Sequence, residues 1–90
     1  MKVLMIWDQL DVGIRCYAMT GELADLALKA NGQYINNSDV PEGSAVQKIR
    51  DLLYDSDGKK KKAPRDMKIV SRGKVGTFAF DAIVVCGILP

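Results

Sequence analysis

The chain predicts an α+β fold: a two-layer sandwich of a mostly antiparallel four-stranded sheet, in the order β-β-α-α-β-β, with two helices on one face. Three observations lead there. Both ends are strongly apolar, Val3-Leu4-Met5-Ile6-Trp7 and Ala82-Ile83-Val84-Val85-Cys86-Gly87-Ile88-Leu89. Neither run alternates, so each reads as a strand covered on both faces or buried at an interface, and the N- and C-terminal strands are expected at the sheet centre. Between them, one stretch alternates with the period of a half-buried strand, and two others carry helix caps and helical stripes.

In chain order, residues 2–7 form the first strand and Asp8-Gln9-Leu10-Asp11 a polar turn. The second strand spans Ile14 to Met19, with Ile14, Cys16 and Ala18 facing one way and Arg15, Tyr17 and Met19 the other. Thr20 is placed to cap a helix over about 21–31, its hydroxyl accepting from a free backbone N–H. Leu23, Leu26, Ala27 and Ala30 make that helix's apolar face, and Gly32 supplies the left-handed stop. Gln33 to Asn36 is a short extended piece, followed by a loop to Gly43. Ser44-Ala45-Val46-Gln47 fits a capping box, and Val46, Ile49, Leu52 and Leu53 form the stripe of a second helix ending near Tyr54. A flexible basic loop is expected over about 56–66. Met67 to Arg72 is a third strand, Gly73 to Gly76 a turn, Thr77 to Phe80 a connection, and Asp81 leads into the last strand.

Ninety residues make one domain with a small core, so self-association is the expected source of added stability. A terminal strand as apolar as 82–89 suits half of a subunit interface. Two cysteines are too few for a disulfide framework, and Cys16 and Cys86 are expected reduced and buried, in a cytoplasmic protein. The five apolar residues after Lys2 are fewer than a secretory signal needs, and no run has the roughly 20 apolar residues of a membrane span.

The absence of histidine removes the usual general base and the commonest metal ligand, so Ser-His-Asp, Cys-His and zinc sites cannot be built. No cofactor or metal is expected, and enzymatic activity is not. Asp55-Ser56-Asp57-Gly58 resembles a calcium loop only superficially, because lysines follow where ligands belong.

Charge is unevenly spread. Residues 1–57 hold nine acids and five bases, a net −4, whereas residues 58–90 hold eight bases and two acids, a net +6. The run Lys59-Lys60-Lys61-Lys62, with Arg65 nearby, suits an acidic partner or phosphates, or is simply a solvated loop. No aromatic residue interrupts it, as base stacking would require. Arg72, Lys74, Arg15 and the Thr20 cap are candidate anion contacts, with Tyr17 or Trp7 either stacking on a base or filling the core.

The segments MKVLMIWD, KANGQYINNSD and FDAIVVCGILP resemble small accessory proteins of tailed phages. The resemblance spans most of the chain except the lysine-rich loop, and it implies a protein that counters host defence by binding. An oligomer that sequesters an anionic nucleotide signal through Arg15, Tyr17, Thr20, Arg72, Lys74 and Trp7 is one form. Masking of a host defence protein through Lys59, Lys60, Lys61, Lys62 and Arg65 is the other. A nucleic-acid-binding modulator and a structural or assembly subunit are the alternatives. No membrane partner is expected.

Overall fold

The computed structural model describes all 90 residues. The apolar opening run becomes β1 (Val3–Gln9), the third of five strands in one sheet. A tight turn, closed by the Val12 N–H donating to the Gln9 carbonyl at 2.8 Å, returns the chain as β2 (Gly13–Met19). The alternation of β2 survives intact: Tyr17 and Met19 enter the core, while Cys16 and Ala18 lie on the opposite face.

Helix α1 (Gly21–Ala30) follows, then β3 (Tyr34–Asn36), α2 (Ala45–Leu53), β4 (Met67–Val70) and β5 (Ala82–Leu89). Short 3-10 helices occupy Asn37–Asp39 and Arg72–Thr77. The fully buried line of α1 is Ala24, Ala27 and Ala30, with Leu23 and Leu26 packed at its flanks. Three methyl groups in line let this helix lie close against the sheet. Helix α2 buries Val46, Ile49 and Leu53, with Leu52 partly covered. Its predicted cap forms with one shift: Ser44 Oγ accepts from the Gln47 N–H at 3.1 Å, and the Gln47 side chain accepts from Gly43 rather than Ser44.

The fold is α+β, with both α-helices contributing to one core beneath one sheet. The sheet itself corrects the expectation. It has five strands in the order β3-β5-β1-β2-β4, and it is mixed. β1 pairs antiparallel with β2 and parallel with β5, and β5 pairs parallel with β3. The physical reason lies in residues 71–81. Read as a tight turn they return the chain antiparallel, whereas a 3-10 helix and an extended arm make them long enough to cross a face and re-enter parallel. β1 is central as expected, with β5 beside it.

Pairing assigns the two faces. Val3, Met5 and Trp7 of β1 stand in rows with Met19, Tyr17 and Arg15 of β2 and with Ala82, Val84 and Cys86 of β5. These rows face the helices and form a core with Ile49, Val46, Leu53 and Met67. The outer face carries Leu4, Cys16 and Val70, which Val75 and Phe80 cover from the crossing arm. That cover stops halfway: Ile83 and Val85 of β5 stay exposed, so β5 is not buried on both faces as its sequence suggests.

Gly87 is the tightest point of the sheet. A methyl group there would overlap the Asp8 main-chain carbonyl, and the Gly87 N–H donates to Gln33 at 3.0 Å. Gly87→Ala is therefore expected to lower unfolding free energy by at least about 2 kcal/mol in urea titration. Gly73→Ala and Gly76→Ala, where a methyl meets nothing within 4 Å, are expected to stay within about 0.5 kcal/mol of the parent.

Candidate functional site

Pairing of Val3, Met19 and Met67 in one row makes Lys2, Thr20 and Asp66 the next residues beyond it, at one end of the sheet. There they border a groove of about 640 Å³. Its floor is apolar, formed by Ala18, Ile69, Val70 and the exposed ring of Phe78. Its rim carries Lys2, Arg65 and Lys68 against the single carboxylate of Asp66. The only ion pair in the chain, Arg50 with Asp51 at 3.6 Å, lies elsewhere, so none of the three groove cations is neutralised by a carboxylate.

The groove is built from segments far apart in sequence and held by backbone contacts. The Thr20 N–H donates to the Asp66 carbonyl at 3.1 Å, tying the start of α1 to the start of β4. The Lys2 N–H donates to Asp81 Oδ2 at 2.7 Å, and the Asp81 N–H returns to the Lys2 carbonyl at 2.8 Å. This clasp anchors the arm carrying Phe78 and Phe80, and Lys2 Nζ lies 5.1 Å and 5.6 Å from their ring centres. Thr20 is the N-cap residue by backbone shape, yet its hydroxyl makes no capping bond. That corrects the expected cap and leaves the hydroxyl free at the groove.

Of the predicted nucleotide contacts, Thr20 alone joins this groove. Trp7 and Tyr17 are buried beneath the helices, so neither ring offers a face to a ligand. Arg15 stands beside Trp7 in the same row, roughly 17 Å along the strand from Thr20, and its Nη1 donates to the Ile14 carbonyl at 3.0 Å. Arg72 and Lys74 are exposed on the 3-10 helix and do not line the groove. The predicted set is thus divided between two ends and two faces of the sheet.

The lysine run is divided too. Arg65 enters the groove, whereas Lys61 lines a second cleft of about 800 Å³ near the β1–β2 turn. Lys61 Nζ donates to the Asp51 carbonyl at 2.8 Å, a cation closing the last turn of α2. Asp55 Oδ1 accepts from the N–H groups of Asp57 and Lys59 at 2.9 Å and 2.8 Å, making the calcium-like segment a turn. The charges of this cleft serve mainly to fold it. Lys59, Lys60 and Lys62 remain exposed.

Sequence reasoning missed Lys2, Lys68 and Phe78 as groove residues. Strand parity offered one signal, because Lys2 shares the face of Leu4 and Lys68 that of Val70. Only the β2–β4 pairing brings the two lysines to one end. No group of three or more His, Cys, Asp or Glu side chains converges where it could hold a metal ion. No helix is long and apolar enough to cross a membrane. No protein-family model, curated protein or solved structure matches the chain.

Shifted ionisations fall on the strands outside the groove. Burial raises the Tyr17 hydroxyl, with Tyr54 adding and Arg15 opposing. Burial raises Tyr34 also, with Asp8 adding. Burial pushes the Cys86 thiol up to about 12 from an ordinary 9.0. Cys86 and Cys16 are free and lie on opposite faces of the sheet. A thiol with a raised folded-state value stabilises the fold fully below its unfolded value and progressively less as pH climbs towards the folded one. Urea-unfolding stability is therefore expected to fall between pH 9 and about 12, and Cys86→Ala is expected to flatten part of that fall.

Proposed function

We propose that this chain is a non-enzymatic binding protein whose basic groove captures an anionic small ligand, a nucleotide signal being the class that fits best. The observation carrying the reading is the meeting of Lys2, Arg65 and Lys68, none paired with a carboxylate, around an apolar floor. Unpaired cations over a low-dielectric floor attract an anion more strongly than scattered surface lysines do. Phe78 gives a planar group a ring to stack on, and the free Thr20 hydroxyl adds a donor at the start of α1. The volume is in the range of small-molecule sites. Joined to the phage-type resemblance of its ends, this makes the chain an agent that sequesters a defence signal in the cytoplasm of a host cell.

Masking of an acidic host protein is the second reading, favoured by the exposure of Lys59, Lys60 and Lys62, none of which lines the groove. The two readings separate by mutation. Under the first, Arg65→Glu or Lys68→Glu weakens nucleotide binding at least about tenfold in calorimetry, and Phe78→Ala costs about 1–3 kcal/mol. Simultaneous reversal of Lys59, Lys60 and Lys62 changes that affinity less than about threefold. Loss of binding through the lysine loop alone, with Arg65 and Lys68 variants unaffected, would sink the groove reading. A steep salt slope with long oligonucleotides, and no affinity for mononucleotides, would instead move the ligand class to nucleic acid.

A further inference from the structure

Residues 71–81 cross the outer face of the sheet between β4 and β5 and touch it lightly. Of these eleven residues only Val75 and Phe80 are partly buried, and the rest are exposed. The Lys74 and Phe78 N–H groups donate to the Ser71 and Val75 carbonyls, and the Thr77 hydroxyl donates to the Lys74 carbonyl at 2.7 Å. Hydrogen bonds from residues 71–80 therefore close within the segment. The first bonds to another segment are those of the Asp81 clasp to Lys2. Beneath the segment, Leu4, Cys16 and Val70 form a cluster separate from the helix-side core.

We propose that residues 71–81 are a strap that lifts from the sheet as one unit while the rest of the fold stays intact, opening and closing the basic groove. Lifting breaks the Asp81 clasp and unseats two side chains, Val75 and Phe80, but it disturbs no strand ladder and no part of the helix-side core. Segments tied this sparsely open at far lower free energy than the whole domain unfolds. The strap carries Phe78, which lines the groove, and both rings beside Lys2 Nζ. Once it lifts, Arg65 and Lys68 remain on the sheet without that ring. On the reading of the groove as a nucleotide site, a ligand stacked on Phe78 and held by Arg65 and Lys68 binds the closed strap more tightly and keeps it shut.

The two free cysteines report the motion from opposite faces. Cys16 lies under the strap at 5% exposure, and Cys86 lies in the helix-side core at 0%. A thiol reagent reaches Cys16 when the strap lifts, whereas it reaches Cys86 only when the core comes apart. The two openings also respond to different substitutions. Loss of the clasp favours a lifted strap. A smaller core side chain favours the unfolded chain and leaves the strap as it was.

Labelling by an aromatic disulfide reagent, with each rate scaled to that of the same thiol in the unfolded chain, tests this. Cys16 is expected to react at least about 100-fold faster than Cys86 and to change little with urea below the unfolding transition, while Cys86 accelerates steeply. Asp81→Ala is expected to speed Cys16 about threefold or more. Ile49→Val, in the helix-side core, is expected to speed Cys86 by a similar factor and to leave Cys16 unchanged. Equal scaled rates, with Ile49→Val speeding both, overturn the proposal, as does a Cys16 rate that Asp81→Ala does not move. Adenosine or guanosine monophosphate, at about 100 times its calorimetric dissociation constant, is expected to slow Cys16 at least about tenfold. Binding without slowing overturns the strap's hold on the groove. Absence of calorimetric binding counts against the nucleotide reading instead, and the ligand-free rates still decide whether the strap lifts.

Discussion

Everything in this molecule hangs on β1 being held on both sides at once. Its antiparallel ladder to β2 and its parallel ladder to β5 each run the full seven residues from Val3 to Gln9. Trp7, the bulkiest side chain of the core, hangs from the middle of that double ladder and is fully buried. The ladders also dictate which side chains face which layer, since a slip by one residue would move Trp7 and Met5 to the outer face. The close approach at Gly87 and Asp8 acts against such a slip, because only a residue without a side chain fits opposite that carbonyl.

The same tight end carries a cost in unmet hydrogen bonds. Trp7 Nε1, Asp8 Oδ1 and Gln9 Oε1, on three successive residues, are buried without partners. Each such group forgoes roughly 1–3 kcal/mol of solvation. The helix side repays this through dense apolar packing: three alanines of α1 and three aliphatic residues of α2 close over three methionines, Trp7 and Tyr17. The outer side has no comparable layer. One arm, clasped to Lys2 through Asp81, covers part of it and at the same time shapes the wall of the basic groove.

How much of this was readable from residues depended on range. The alternation of Ile14 to Met19, the Ser44–Gln47 cap and the apolar run 82–89 are local patterns, and each became the element it indicated. Residues 33–36 were legible as extended, but their place as an edge strand was not, because three residues carry no period and their pairing with β5 is long-range, extended by Asn31 Oδ1 accepting from the Val85 N–H at 3.1 Å. The direction of β5 escaped because it depends on the route of residues 71–81 rather than on the strand's own composition. For the candidate groove, Arg65 and Thr20 were singled out, although for separate roles. Lys2 and Lys68 were not, because 66 positions part them and only the strand order β1-β2-β4 unites them. Trp7 and Tyr17 show the reverse error, in which an aromatic ring suited to a ligand is claimed by the core.

The order in which the strands enter the sheet has a consequence for how the chain reaches its fold. β1 emerges first, yet one of its two neighbours is β5, and the clasp at its start joins residues 79 positions apart. Until that late segment arrives, one edge of β1 stays open and its apolar side chains stay wet, a state prone to mispairing with other chains. Contacts this distant also make the entropic barrier large, so folding is slow for a chain of this length. On a ribosome the nascent protein can therefore pair only β1, β2 and β4, and β5 and β3 join the sheet after synthesis passes Leu89.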